Sequence, residues 1–197
     1  MTRPTVFQIQ QKLQSFDWSA LENPGRNKGT RGQALELALG IPNSPELQDL
    51  DDGELKTYTI GESIACTQLL HCLPEIFDHT PFNESKLGKK MKHTIYIGFS
   101  RDYQYKGTIT LNNDTHTEHY IKLEEDYKFI CNKIIEALYS MTELNTITGP
   151  NKLLQIRTKD SKRKDGTYKP LLFNNHILKN KGMAFYLCPQ FGKELLI

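Results

Sequence analysis

A glutamate and a lysine separated by one residue, Glu54 and Lys56, form the first pair in this sequence that could do chemistry. They lie in the segment ELKTYTI (54–60), whose alternating pattern predicts a β-strand. Side chains two apart on a strand face the same side, so this carboxylate and this ammonium would project together. A carboxylate is a hard ligand for Mg²⁺, and a lysine beside the ion can orient or deprotonate an attacking water. The pattern is the ExK arrangement used for phosphodiester hydrolysis.

Acidic residues crowd the turn that leads into this strand. Asp49, Asp51 and Asp52 all precede Glu54 by five residues or fewer. An aspartate from such a turn can join the strand glutamate, and a pair of carboxylates supplies the oxygen ligands that Mg²⁺ prefers. A further acid, Glu36, stands upstream in a segment otherwise rich in Leu and Ala.

Basic residues are concentrated elsewhere in the chain. The segment 152–181 contains nine Lys or Arg against two acids, and a second basic cluster covers 86–92. The whole chain is nearly neutral, with 25 Lys and Arg against 23 Asp and Glu. A basic surface with one acidic focus is typical of an enzyme that binds a polyanion and holds a metal at one point on it.

Length and composition place the chain among single-domain proteins. Its 197 residues can bury a substantial core, and no linker or repeat divides them, which predicts one domain over 1–197. The four cysteines form no CxxC pair, which argues against a zinc ribbon and favours buried thiols. The N-terminus lacks the apolar core of a signal peptide, and no apolar run could cross a bilayer. We therefore expect a cytoplasmic protein with no membrane partner.

Hydrophobic periodicity predicts a mixed α/β chain with a central sheet flanked by helices. Thr30 is a candidate N-cap for the second helix, and Gly40 is its predicted C-terminal stop. The predicted helices cover 7–16, 31–39 and 120–139, and the predicted strands cover 54–60, 62–70, 93–99, 105–111, 153–158 and 183–188. The segment 62–70 is expected to pair beside 54–60, the strands 93–99 and 105–111 to form a hairpin, and the last two strands to flank the basic loop.

Five short blocks, in order, resemble the MutH family of mismatch-repair nicking endonucleases and its restriction-enzyme relatives, which include GATC cutters. The blocks are KGxxGxxLExxLG at 28–40, ELKT at 54–57, a KLKR-like segment and strand at 90–97, LQIRxK at 154–159 and FYL at 185–187. Five blocks in the same order are far more specific than any one of them. The resemblance implies a restriction-endonuclease-like PD-(D/E)xK fold, MutH-like, with a mixed central sheet flanked by helices.

The resemblance also implies a set of catalytic residues. Glu54 takes the place of the strand carboxylate that binds metal, Lys56 that of the catalytic lysine, and Lys90 that of a second lysine close to the reacting phosphate. Glu36 takes the place of the helix carboxylate that completes the metal site. The implied cofactor is Mg²⁺, for which Mn²⁺ can substitute.

The metal-binding aspartate departs from the pattern of MutH itself. The corresponding position, seven residues before the strand glutamate, is Leu47 here. MutH-related restriction enzymes that cut CC-rich sites use the shorter spacing DxxxxExK, which Asp49 meets. Asp49 is therefore the expected ligand, with Asp51 and Asp52 as rivals, because a turn with three acids can present any of them.

DNA contacts are carried over in the same way or follow from the basic segments. Arg157, Lys159 and Tyr186 lie on the DNA-reading side of the family, and Glu62 resembles a base-contacting acid after the ELK strand. The other residues expected to contact DNA are Lys28, Lys89, Lys92, Lys162 and Arg163.

The function implied is Mg²⁺-dependent, sequence-specific cleavage of double-stranded DNA to a 5′-phosphate and a 3′-hydroxyl, as in type II restriction, with GATC as the family-level site. One alternative is a mismatch-repair nickase that waits for a MutL-like partner. Another is a DNA-binding module without catalysis. A homodimer on palindromic DNA and a monomer that nicks twice both stay open.

Overall fold

The computed structural model describes residues 3–21, 28–42 and 46–194, without the side chains of 20 and 28–30. Its helices are α1 (Val6–Gln14), α2 (Lys28–Ala38), α3 (Leu69–Phe77), α4 (Lys86–Met91), α5 (Thr117–Tyr139) and α6 (Pro189–Glu194). Its strands are β1 (Glu54–Thr59), β2 (Ile64–Gln68), β3 (His93–Phe99), β4 (Tyr105–Asn112), β5 (Ile147–Thr148), β6 (Leu154–Thr158), β7 (Leu171–Phe173), β8 (His176–Lys179) and β9 (Met183–Leu187). The protein is a mixed α/β structure with helices packed against its sheets, as the periodicity predicts.

The strand that carries Glu54 and Lys56 belongs to a mixed three-stranded sheet with the order β1-β3-β4. β1 runs parallel to β3, with Glu54 opposite Thr94, and β3 and β4 form the predicted antiparallel hairpin. The expectation that β2 would pair with β1 was wrong, because β2 pairs with β9 instead. The chain leaves β1 through a tight turn at Gly61, whose φ of 82° suits a glycine, and this turn redirects β2 into the second sheet.

The second sheet is antiparallel and has the order β2-β9-β6-β5. The two late strands predicted from the sequence, β6 and β9, are neighbours within it, and Gln155 lies opposite Tyr186. This pairing brings the LQIRxK and FYL blocks side by side, although 25 residues and more separate them along the chain.

Part of the basic segment expected to be a loop is a hairpin of β7 and β8. Asn174 and Asn175 form its two-residue turn, with φ values of 47° and 65°. Asparagine tolerates this left-handed backbone better than most residues, and two positive φ values are typical of a hairpin turn that matches strand twist. The Asn-Asn pair was therefore an available signal for this hairpin.

Helix α2 begins at Lys28, so Thr30 lies inside the helix and is not its N-cap, contrary to expectation. Its C-terminal end is as predicted, because Gly40 follows with a φ of 75°. Three short helices, α3, α4 and α6, were missed. The buried face of α3 (Leu69, Cys72, Leu73 and Ile76) has ordinary helical spacing, and it was hidden by the strand assigned to 62–70.

Two clusters of buried side chains hold these elements together. The smaller cluster packs α1 and α2 against the outer face of the β1-β3-β4 sheet through residues such as Ile9, Leu35, Leu55 and Ile95. The larger cluster lies between α3, α5 and the second sheet. Because Leu35 and Leu39 are fully or almost fully buried, α2 is fixed against β1, and this contact positions Glu36.

The four cysteines are free thiols, three of them buried and Cys66 half-buried. Burial raises the pKa of Cys66 to about 11 and that of Cys72 to about 12, so these thiols are unreactive at neutral pH. Among the helices in the described ranges, none combines the length and apolar character needed to cross a bilayer.

Candidate active site

The expected catalytic residues come from four separate segments that meet beside β1. Glu54 and Lys56 project from one side of this strand, as its alternation predicts. Asp49 comes from the turn before the strand, and Lys90 from the last turn of α4. Glu36 comes from α2, which packs against the same strand.

Glu54 is the centre of the cluster and is only 1% exposed. Its Oε1 atom contacts the ammonium of Lys56 and lies 3.0 Å from Lys90 Nζ. Its Oε2 atom accepts a hydrogen bond of 3.1 Å from the backbone N–H of Asp49. A buried carboxylate needs such compensation, and two cations and one backbone donor provide it.

The structure separates Asp49 from its two rivals. Asp49 Oδ2 lies 3.7 Å from Lys56 Nζ, and this buried oxygen receives no hydrogen bond from the described residues. Asp52 instead accepts a 2.7 Å hydrogen bond from the N–H of Val6, in the first turn of α1, and Asp51 is exposed. The acid brought next to Glu54 and Lys56 is therefore Asp49, the one at the DxxxxExK spacing.

Glu36 is half-buried and close enough to the other acids to interact with their charges. Burial raises its pKa, as do the charges of Asp49 and Glu54, and Lys56 opposes them. Burial also raises the pKa of Asp49, and the charge of Glu54 adds to this effect while that of Lys56 opposes it. The site contains three carboxylates, Glu36, Asp49 and Glu54, and two lysines, so it is net negative when all five groups are ionised.

The pKa of Lys56 is also raised, but by charge and not by burial. Burial disfavours its charged form, but Glu54 and Asp49 outweigh burial and raise the pKa of Lys56 above its ordinary value. Lys56 is therefore an ammonium at neutral pH. An ammonium can hold a water or a phosphate oxygen in place, whereas it cannot accept a proton.

A cleft of about 580 Å³ runs along the end of β1 and continues onto the second sheet. Glu62, Arg157 and Tyr186, three of the residues expected to contact DNA, line this cleft together. The guanidinium of Arg157 stacks 4.4 Å from the ring centroid of Tyr186, which orients it on β6. Residues from three distant segments of the sequence thus share one concave surface.

The remaining expected DNA contacts are more scattered. Lys89, Lys159, Lys162 and Arg163 are exposed, and none of them lines the cleft. Lys92 is exposed as well, but it borders a different concavity beside α5, so it is not brought to the cleft. Lys28 begins α2, and its side chain lies outside the described residues.

No protein-family model and no curated protein sequence matches the chain. The likeness to MutH therefore rests on the five short blocks alone.

The three carboxylates expected to hold metal are not all placed around one point. In the described residues, no group of three or more His, Cys, Asp or Glu side chains could hold a single ion. Asp49 and Glu54 do converge, since both interact with Lys56. Two hard carboxylates, one with a buried oxygen that receives no hydrogen bond, suit a Mg²⁺ ion as a donor pair. The donor pair fits the ion, and Glu36 stands beside it.

Arg31 was not singled out from the sequence, because it occupies a variable position of the KGxxGxxLExxLG block. In the structure it lines the same cleft as Arg157 but is only 5% exposed. Its guanidinium lies between two rings, 4.5 Å from the centroid of Phe99 and 4.4 Å from that of Tyr103. No local pattern signals this contact, since the two aromatic residues come from the β3–β4 hairpin.

Proposed function

We propose that this protein is a Mg²⁺-dependent, sequence-specific endonuclease that hydrolyses double-stranded DNA in the manner of a type II restriction enzyme. The observation that carries the proposal is the cluster of Asp49, Glu54, Lys56 and Lys90, four charged side chains from three segments. None of them lines the cleft, but Thr57, which follows Lys56 on β1, does. A purely structural role explains it poorly, because a buried ion cluster stabilises a fold no better than apolar packing of the same volume.

Each residue of the cluster has a distinct task in this proposal. Lys56, held as an ammonium by Glu54 and Asp49, orients the attacking water for in-line attack on phosphorus. Lys90 neutralises negative charge that gathers on the phosphate oxygens. The water oxygen forms a new bond to phosphorus as the bond to the 3′ oxygen breaks. One proton of the water is lost to solvent and the departing 3′ oxygen takes one from solvent, which leaves a 5′-phosphate and a 3′-hydroxyl.

Asp49 and Glu54 are the residues that would hold Mg²⁺, with Mn²⁺ as a substitute. The ion would supply Lewis-acid stabilisation of charge on the scissile phosphate. Its positive charge would also favour the ionised forms of Asp49 and Glu36, whose pKa values are raised mainly by burial. Glu36, beside the pair, adds to the negative potential that attracts the cation.

DNA binding would use the cleft and the basic surface around it. Arg157 and Glu62 are a donor and an acceptor able to read base edges in a groove. The exposed Lys89, Lys159, Lys162 and Arg163 would bind phosphates, which gives affinity without sequence information. A GATC-like site is the family-level proposal.

The test is digestion of supercoiled plasmid by purified protein with Mg²⁺, Mn²⁺ or EDTA, followed by sequencing of the ends. Wild-type protein should cut at fixed sites with either metal and leave ends that ligate directly. Glu54→Gln and Lys56→Met should abolish cleavage but retain DNA binding in Ca²⁺. Glu118→Gln and Lys133→Met, exposed residues of α5, are matched controls and should cut normally.

Other outcomes would assign a different role. Nicking that stops at the open circle, or that needs a MutL-like partner, would support the mismatch-repair reading. Binding without cleavage by wild-type protein under every metal condition would leave a non-catalytic DNA-binding module. Cleavage that survives both Glu54→Gln and Lys56→Met would place the chemistry elsewhere in the chain.

A further inference from the structure

Arg31 is a cation held in an unusual environment. Its guanidinium carbon lies over two aromatic rings, those of Phe99 and Tyr103, and its buried Nε has no hydrogen-bond partner in the described part of the chain. Burial lowers its pKa, while Tyr103 and Glu62 oppose this effect. Arginine stays charged even so, because its ordinary pKa is far above neutral. The fold therefore bears the cost of a buried charge at the wall of the cleft.

The backbone that supports this contact is itself strained. Tyr103 has a φ of 71°, in the left-handed region that bulky residues rarely adopt. This conformation, in the turn between β3 and β4, places the ring of Tyr103 against Arg31. Phe99, which forms the other wall, is almost fully buried. The two rings thus restrict the movement of the guanidinium before any ligand arrives.

We propose that Arg31 is a positioning residue that binds a backbone phosphate of the DNA strand held in the cleft, next to the phosphate that is cleaved. This inference rests on the proposed function and adds a residue to its substrate site. Because two rings already lie against the guanidinium carbon, its N–H groups are the part that can meet a ligand, and two parallel N–H groups match two phosphate oxygens. Stacking on the rings limits the rotamer freedom lost on binding.

The location favours a phosphate near the reacting one. Arg31 and Glu36 are on the same helix, and five residues of α-helix span about 7.5 Å. That is of the order of the distance between neighbouring phosphates of one strand. Gly32, next to Arg31, packs against Thr57 of β1, one residue after Lys56. A phosphate bound by Arg31 would therefore place the next phosphate along the strand toward Lys56.

The experiment measures how salt affects the affinity for two duplexes, one with the cleaved sequence and one scrambled, in Ca²⁺ so that no cleavage occurs. The proteins are wild type, Arg31→Gln, Arg31→Lys and the control Lys133→Gln on α5. Removing one phosphate contact reduces the slope of log K against log salt by about 0.9. We expect this reduction for Arg31→Gln on both duplexes and no change for the control. Arg31→Lys should keep the slope but lose about tenfold in affinity, because it lacks the planar pair of donors.

A second variant separates the guanidinium from its aromatic support. Tyr103→Leu leaves the charge in place, so it should keep the slope while lowering affinity and the single-turnover cleavage rate. An unchanged slope for folded Arg31→Gln would overturn the proposal. A loss of affinity for the duplex with the cleaved sequence alone would also overturn it, because it would indicate that Arg31 reads bases. If Arg31→Gln does not fold, the proposal is overturned when Arg31→Lys binds both duplexes as tightly as the wild type does. Failure of wild-type protein to bind or cut DNA would instead refute the proposed function itself.

Discussion

Lys90 Nζ lies 3.0 Å from Glu54 Oε1, and the ammonium of Lys56 contacts the same oxygen. The two lysines reach it from different elements, a strand and the end of a short helix. Ser85 caps that helix by accepting a hydrogen bond of 3.0 Å from the N–H of Gly88. The helix cannot move outward easily, because Leu87 and Met91 are buried. Lys90 is therefore a fixed part of the site.

Replacing Lys90 should separate chemistry from binding. Lys90→Ala removes one of the two cations on a buried carboxylate, so we expect the single-turnover cleavage rate to fall about 100-fold. Unfolding in urea should show a loss of about 1–3 kcal/mol. Lys89→Ala is the matched neighbour, exposed and without contact to Glu54, and it should weaken DNA binding without changing the rate at saturating enzyme. Equal rate losses in the two variants would contradict the role given to Lys90.

The three aspartates before β1 should behave differently from one another. Asp49→Ala should abolish cleavage, because it removes half of the proposed metal pair. Asp52→Ala should cut normally at low temperature but lose about 1 kcal/mol of stability, since its carboxylate accepts the Val6 N–H at the start of α1. Asp51→Ala should change neither cleavage nor stability. Plasmid cleavage and urea unfolding of the three variants test these expectations. Full activity in Asp49→Ala would mean that Asp51 or Asp52 is the metal-binding aspartate instead.

Stability should depend on pH through Glu36 and Asp49. Both have a pKa raised above the ordinary values of 4.5 and 3.8, so between those values and the raised ones the folded protein binds more protons than the unfolded chain. Their contribution to stability is present below the ordinary pKa and is lost as pH rises through the raised pKa. In EDTA, Asp49→Asn and Glu36→Gln should therefore be more stable than wild type at pH 7 and equal to it near pH 3.5.

Urea unfolding at the two pH values provides the measurement. Glu118→Gln is the control, because the pKa of Glu118 is lowered through its hydrogen bond and ion pair with Lys122, so this variant should show no gain at pH 7. A wild type more stable than both site variants at pH 7 would show that the acids of the site stabilise the fold.

Asp126 should be essential for stability although it lies outside the site. Its carboxylate, fully buried on α5, accepts backbone N–H groups from Asn151 at 2.7 Å and from Leu153 and Leu154 at 2.9 Å. Asp126→Ala would leave these donors unpaired at about 1–3 kcal/mol each, so we expect a loss of at least about 3 kcal/mol in urea unfolding. Glu125→Ala, its exposed neighbour, should cost less than about 1 kcal/mol. A small loss in Asp126→Ala would mean that water replaces the carboxylate.

Local periodicity was sufficient for the elements that carry the site. The alternation of 54–60 determined that Glu54 and Lys56 face the same side, and the spacing of apolar residues predicted α1, α5 and the β3–β4 hairpin. These patterns are readable because a strand and a helix repeat every 2 and 3.6 residues, whatever they pack against. The resemblance to the MutH family also implied one site with Glu54, Lys56 and Lys90, to which Asp49, Asp51 or Asp52 would add a carboxylate.

Only the tertiary structure decided which distant segments meet. It paired β2 with β9, selected Asp49 over Asp51 and Asp52 as the neighbour of Lys56, and enclosed Arg31 between Phe99 and Tyr103. None of these contacts has a local signal, because each depends on packing between segments that the chain order keeps apart. The sequence by itself determined the chemistry available to this protein, and the long-range packing decided which of those groups share one cleft.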